Sequence, residues 1–174
     1  MFNQDDVKEC LEKFMQLDLS TPCLVSTESV QVFVAGLAAF RIYRETNDSI
    51  WLDRGRQHKE TIKLWATEGC EWNFKQKLLL LEAEESYSIG NFSSAKQSYK
   101  KAISTAKAHK FANDEALACE LAARFYLKTD DKESSKEHFR LAHTKYLEWG
   151  AVRKAEVLVD DAFEKLGTNF LPYS

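Results

Sequence analysis

Two stretches of the chain repeat one another, and each has the form of a helical hairpin. Apolar-periodic segments meet at Tyr87-Ser-Ile-Gly-Asn-Phe92 and again at Tyr126-Leu-Lys-Thr-Asp-Asp-Lys132, where the hydrophobic spacing breaks. Superposed, Ala83 falls on Ala122 and Tyr87 on Tyr126 at an offset of 39. Ala95 falls on Ser135, Tyr99 on Phe139 and Ala102 on Ala142 at an offset of 40, which reads as one extra residue in the second turn. A two-helix unit of about 40 residues cannot bury its apolar face alone, so neighbours must stack; this predicts an all-α chain, an α-solenoid of about three hairpins. The expected organisation is an N-terminal helix and connector (residues 1–28), a repeat domain (29–166) and a tail (167–174). Within the repeat domain come hairpins at 29–69, 72–110 and 112–149, then a capping helix at 151–166.

The helices are read from spacing and end signals. Val7, Leu11, Phe14 and Met15 share a face over residues 4–16, and Ser26 or Thr27 is the expected N-cap of the second helix. Val30, Phe33, Val34, Leu37 and Phe40 define the first face of a more divergent hairpin, and Trp51, His58, Ile62 and Trp65 define its second until Gly69 stops the run. Ala39 and Tyr43 of that hairpin keep the spacing of Ala83 and Tyr87, shifted by 44. Asn73-Phe-Lys-Gln76 has the form of a capping box, and the run of four leucines after it leaves little solvated circumference, so this helix should lie in the middle of the stack. Gly90 is the expected left-handed end of that helix and Asn91 the cap of its partner. Asn113 is expected to start the next helix and Asp130-Asp-Lys-Glu133 to cap the one after. The last helix should turn Val152, Ala155, Val159, Ala162 and Leu166 inward and present a charged outer face of Arg153, Lys154, Glu156, Asp160, Asp161 and Lys165.

Composition narrows the class. A chain of 174 residues, 44% apolar and 29% charged, suffices for one core, and a net charge of −3 gives no general attraction to a nucleic-acid backbone. The longest clean apolar run, residues 33–40, falls far short of the roughly 20 residues that span a bilayer, and the acidic start is unlike a signal peptide. The expectation is a cytoplasmic or nuclear protein with no membrane and no nucleic-acid partner. Cys10, Cys23, Cys70 and Cys119 contain no Cys-x-x-Cys pair and read as reduced thiols.

The run Gly90-Asn-Phe-Ser-Ser-Ala95, with Ala83 twelve positions before Ala95 and Tyr99 and Ala102 at +4 and +7, resembles the tetratricopeptide consensus. It departs from that consensus in having no closing proline and a second helix about two turns longer, which is more similar to the long repeats of signal-transduction ATPases and of maltotriose-responsive transcription activators. Leu64-Trp-Ala-Thr-Glu-Gly-Cys70, Lys77-Leu-Leu-Leu-Leu-Glu-Ala-Glu84, the stretch from Glu115 to Tyr126 and Tyr146-Leu-Glu-Trp-Gly-Ala151 resemble the helical segment that follows the ATPase module in very large signalling proteins. The resemblance covers residues 29–160. It implies a protein–protein interaction scaffold or regulatory segment with a protein or peptide partner. The alternative it implies is a ligand-sensing or self-associating control segment of such an ATPase or kinase. Carried over by position, a partner-binding groove would be lined by Phe33, Phe40, Tyr43 and Arg44, then Lys77, Leu80, Glu84, Tyr87 and Ser88, then Cys119, Ala123, Tyr126 and Leu127, with Tyr43, Tyr87 and Tyr126 as a ladder.

The sequence offers no catalytic constellation, and no enzyme, metal or cofactor is expected. The six glycines are too scattered for a phosphate-cradling loop, and Gly-x-Ser-x-Gly and His-Glu-x-x-His do not occur. His138 and His143, five apart, lie about 140° apart around a helix and read as surface or interhelix residues. Glu82, Glu84, Glu85 and Glu120 read as a solvated face or as partners of Lys77 and Arg124. Lys96, Lys100 and Lys107 share a stripe that could meet an acidic partner, with a merely solvated face as the preferred reading.

Overall fold

The computed structural model of the chain describes residues 25–167, with side chains from Glu28 onward. The helix expected over residues 4–16, the capping side chains of Ser26 and Thr27 and the tail beyond Gly167 lie outside the described residues. Within them the chain is all-helical, as expected, and no strand occurs: α1 (Val25–Thr46), α2 (Ser49–Leu64), a π-helical turn (Trp65–Gly69), α3 (Glu71–Ser88), α4 (Phe92–Ala108), α5 (Ala112–Lys128), α6 (Lys132–Glu148) and α7 (Val152–Leu166). Residues 25–28, expected as connector, already belong to α1.

Helices α3 and α5 end in the same way. The Asn91 N–H donates to the Ser86 carbonyl at 2.8 Å, and forty positions on the Asp131 N–H donates to the Tyr126 carbonyl at 2.9 Å. Helices α4 and α6 match as well, with Phe111 N–H to Ala106 at 3.0 Å and Ala151 N–H to Tyr146 at 2.8 Å. This closure satisfies the last carbonyls of a helix and requires a left-handed residue just past its end. Gly90 (φ 79), Lys110 (φ 62), Asp130 (φ 62) and Gly150 (φ 87) supply it, in two pairs forty apart. The caps repeat too: Asn91 Oδ1 accepts from the Ser94 N–H at 3.2 Å and Asp131 Oδ1 from the Ser134 N–H at 3.1 Å.

The offset is therefore 40 throughout, and the 39 expected for Ala83 and Tyr87 is corrected. The two turns have equal length, so Ser86 matches Tyr126 and Tyr87 matches Leu127; Tyr87 and Tyr126 do not occupy equivalent positions. The first hairpin differs, with only Asn47 and Asp48 between α1 and α2. Asn47 is left-handed (φ 57), and Asp48 caps α2 by accepting from the Ile50 N–H at 3.1 Å.

Two expected end signals are also corrected. Helix α3 starts at Glu71, so Asn73 lies inside it, and Gln76 Nε2 donates to the Asn73 carbonyl at 3.0 Å instead of closing a capping box. Helix α5 starts at Ala112, and Asn113 Nδ2 donates to Asp114 Oδ1 rather than capping. The run does stop at Gly69, as expected, though without a positive φ: it ends in a π turn closed by the Cys70 N–H on the Trp65 carbonyl at 3.0 Å.

The chain divides into two compact units, one running up to Ala95 and one from Lys96 onward. In the first, α1, α2 and α3 pack against one another. Phe40, Trp51, Ile62, Leu80 and Leu81 are its large buried side chains, and all four leucines of α3 are buried. Helix α2 reaches α1 through Gly55, where an added Cβ would stand 2.6 Å from the ring of Phe40. Alanine normally stabilises a helix interior by about 1 kcal/mol over glycine. Phe40 has no exposed surface into which to swing, so overcrowding of about 2–3 kcal/mol should outweigh that gain. Gly55→Ala is expected to lose about 1–2 kcal/mol net, read from the urea midpoint; a stabilised variant would contradict this packing.

In the second unit α6 packs on α5 and α7 on α6. Ser135, fully buried, donates its hydroxyl to the Ala123 carbonyl at 2.9 Å, which brings the two backbones close. Cys119, Phe139, Ala142, Tyr146 and Leu158 build the core. Helix α7 turns Ala155 and Ala162 inward as expected, with Val159 and Leu166 packed against the core, but Leu158 is buried as well and Val152 is 53% exposed. Lys154 and Asp161, expected on the outer face, meet Glu120 and Arg124.

Candidate functional site

Helix α1 meets the C-terminal end of α3 through Arg44. Its guanidinium donates to Glu84 Oε2 at 2.8 Å and to Ser88 Oγ at 2.9 Å, and it lies 4.4 Å from the ring centroid of Tyr87. Ser88 Oγ in turn donates to the Glu84 carbonyl at 2.7 Å. Four of the expected groove residues thus come together and hydrogen-bond or pack against one another. Phe33, Phe40, Leu80, Glu84, Ala123 and Cys119 are buried, so they form core and present no surface to a partner in this conformation. Lys77, half-buried, lies 5.8 Å from the ring of Phe33. Tyr43, Arg44, Tyr87 and Ser88 are partly exposed; Tyr126, of the second unit, is 7% exposed and shows only an edge of its ring.

The second unit holds a larger polar cluster. Glu120 is nearly fully buried; it accepts from the Tyr146 hydroxyl at 2.7 Å, from Arg124 at 2.8 Å and from Lys154 at 3.1 Å, and Arg124 also reaches Asp161 at 2.6 Å. The solvated-face reading of Glu84 and Glu120 is corrected; the expected contact of Glu120 with Arg124 is present. Burial pushes the Glu120 carboxyl upward, but the charges of Arg124 and Lys154 and the hydrogen bonds outweigh it and hold it below its ordinary range. Asp161, with Lys165 and Arg124, and Glu85, with Lys59 and Arg56, are held down in the same way against burial. Cys119 is pushed up to about 12 by burial and by Glu115, so it stays an inert thiol.

These directions set a pH dependence. A carboxyl lowered on folding contributes stability that is complete above its unfolded pKa and is lost as pH falls through its folded value. His58, lowered by burial and by Arg54, and His143, lowered by burial, follow the same sign below their ordinary 6.5. The melting temperature should therefore be level between about pH 7 and 8, decline gently below about 6.5 and fall steeply below about 4.5; above about pH 8.5 it should decline again, because burial raises the Cys119 thiol and the Tyr146 hydroxyl on folding. A melting temperature constant from pH 7 to pH 3 would contradict the assignment.

The open feature of the second unit is a groove of about 370 Å³ between α4 and the facing side chains of α5 and α6. Lys96, Lys100, Ser104 and Lys107 line it from α4 with Ile103, and Tyr126 and His138 form the other wall. The ring centroids of Tyr126 and His138 lie 4.9 Å apart with the planes tilted by 41°, and Lys96 Nζ lies 5.4 Å from the Tyr126 centroid. His138 Nδ1 sits 2.7 Å from the Ser134 carbonyl, which requires the proton on Nδ1 and leaves Nε2 as the other ring nitrogen. Among the described residues no carboxylate stands within ion-pair distance of Lys100 or Lys107. Asp131 and Glu137 lie at the Tyr126 end, where with burial they raise the Tyr126 hydroxyl. A depression of about 390 Å³ over Glu133, Ser134, Lys136, Glu137 and Arg140 is the surface of α6 alone, with Lys136 paired to Glu133 at 3.2 Å.

No family model, no curated protein and no solved structure matches this chain.

Among the described residues no three His, Cys, Asp or Glu side chains converge to hold a metal ion, and no helix is long and apolar enough to cross a membrane. The groove joins residues that lie apart in the sequence. The lysine stripe is visible at its spacing, and Tyr126 is a candidate on other grounds. His138 carries no signal of its own, because what gives it a place is Tyr126, twelve positions earlier on another helix.

Proposed function

We propose that this chain is a partner-binding module: a stack of tetratricopeptide-like hairpins of α-solenoid type that holds a segment of another protein, as a scaffold or regulatory piece in signal transduction. The observation that carries the reading is the groove of the second unit. It has aromatic and aliphatic walls, a cationic rim, and two lysines without a carboxylate partner among the described residues, and such mixed surfaces are where protein interfaces place their anchors. The uniform 40-residue register of helix ends, left-handed residues and caps supports the repeat part of the reading. The resemblance to the helical segment of large signalling ATPases supports the signalling part. The net charge of −3 favours a protein partner over a nucleic acid.

The test is a selection of random peptides displayed on phage against the immobilised full chain, with the enriched sequences then titrated. The reading predicts enrichment of a recurring motif that binds the free chain in solution. A selection that returns no sequence binding above background, repeated with longer displayed segments, would remove it.

A further inference from the structure

We infer that the groove of the second unit is a docking site for a short acidic segment of a partner protein, one that carries an aromatic or aliphatic side chain between its carboxylates. The inference rests on the partner-binding reading above and assigns that reading a place and a chemistry.

Three observations lead to it. The rim is positive in a chain that is negative overall, and Lys100 and Lys107 have no carboxylate of their own among the described residues. A solvated lysine needs no partner, but these two stand over an apolar wall made by Ile103, Tyr126 and His138, where a bound carboxylate would be partly shielded from water. The charge is also graded along the groove. Lys96 shares its end with Asp131 and Glu137, which leaves Lys100 and Lys107 as the open positive end.

The dimensions select a short segment. Seven helical residues separate Lys100 from Lys107, roughly 10 Å along α4. An extended chain covers that distance in about three to four residues, and its side chains share a face only at every second position, so carboxylates four positions apart, with an apolar residue midway on the same face, match the two lysines. An apolar side chain between them would reach Ile103 and the ring wall. A nucleic acid would bring many phosphates along a path where the chain as a whole repels them, and a vesicle surface is too flat to enter the groove. Both are outcomes of the test.

The experiment measures fluorescence anisotropy of a labelled peptide with Glu four positions from Glu and Phe midway between them, titrated with the full chain. Parallel titrations use a twin with both Glu replaced by Gln, a single-stranded RNA and phosphatidylserine vesicles. The expected result is saturable binding of the acidic peptide that weakens with salt, with at least about tenfold weaker binding of the Gln twin. Lys100→Glu with Lys107→Glu should weaken the acidic peptide by more than about tenfold, whereas Lys101→Glu with Lys128→Glu, the same change in net charge on exposed positions outside the groove, should change it less than about twofold. Equal loss in both pairs, no loss in the groove pair, no binding of the acidic peptide, or preference for RNA or vesicles would overturn the inference. If selected peptides of other composition bind while the acidic one does not, the docking chemistry fails and the partner-binding reading stands. If no peptide binds, both fail.

Discussion

Glu120→Ala should lower the stability of the second unit by about 3 kcal/mol, a larger loss than any other substitution proposed for this chain. The carboxylate side chain is 5% exposed and ties α5 to α6 through Tyr146 and to α7 through Lys154. Removing it leaves the buried Tyr146 hydroxyl without its acceptor, which costs about 1–3 kcal/mol, and empties the volume the side chain filled. Breaking a wholly buried pair costs about 3–5 kcal/mol, but Arg124 and Lys154 are 35% and 44% exposed, so water compensates part of their loss. Hydrogen exchange of amides in α5, α6 and α7 should accelerate, while α1 and α2 keep their protection. Glu120→Gln should lose less, since it can still accept from Tyr146, and it should flatten the decline of stability below about pH 4.5. Unchanged exchange in α7 would show that the cluster does not hold that helix.

Arg44→Ala should cost the first unit about 2–3 kcal/mol. The guanidinium bridges Glu84, whose side chain is 3% exposed, and it also binds Ser88 and covers the ring of Tyr87. A carboxylate that stays buried after its cation is removed bears most of that loss. Arg44 is itself 20% exposed, which keeps the value below that of a sealed pair. Arg44→Lys should recover only part of it, because an ammonium cannot fork between Glu84 and Ser88 while stacking on an aromatic face. Urea unfolding of the three variants would check the order wild type, Lys, Ala; an alanine variant as stable as wild type would make the cluster a surface ornament.

Much of the fold is legible in the sequence because its determinants are local. The all-helical class is carried by apolar spacing, and Gly90, Asn91 and Asp131 announce the turns through their own side chains and backbone freedom. Lys110 does not, since a lysine at φ 62 adopts a conformation its residue type does not advertise. The register reads one residue short because Tyr87 and Tyr126 look alike while the hydrogen bonds pair Ser86 with Tyr126. Asn73 and Asn113 have the composition of caps, yet α3 and α5 begin earlier. Glu84 and Glu120 look solvated because the cations that settle them stand far off in sequence, Arg44 forty positions before and Lys154 thirty-four after. The same distance hides the groove: α4 shows its lysines, and the ring wall opposite comes from two other helices.

Whether an acidic segment docks on the ring wall of the second unit decides the proposal. Carbon-edited NMR of the aromatic side chains, recorded as the acidic peptide is added, tracks Tyr126 and His138 individually. These two ring systems are predicted to shift together and to saturate with the binding curve, while Tyr87 and Tyr43 do not move. Saturable binding with shifts confined to Tyr43 and Tyr87, and none at Tyr126 or His138, would contradict the docking site.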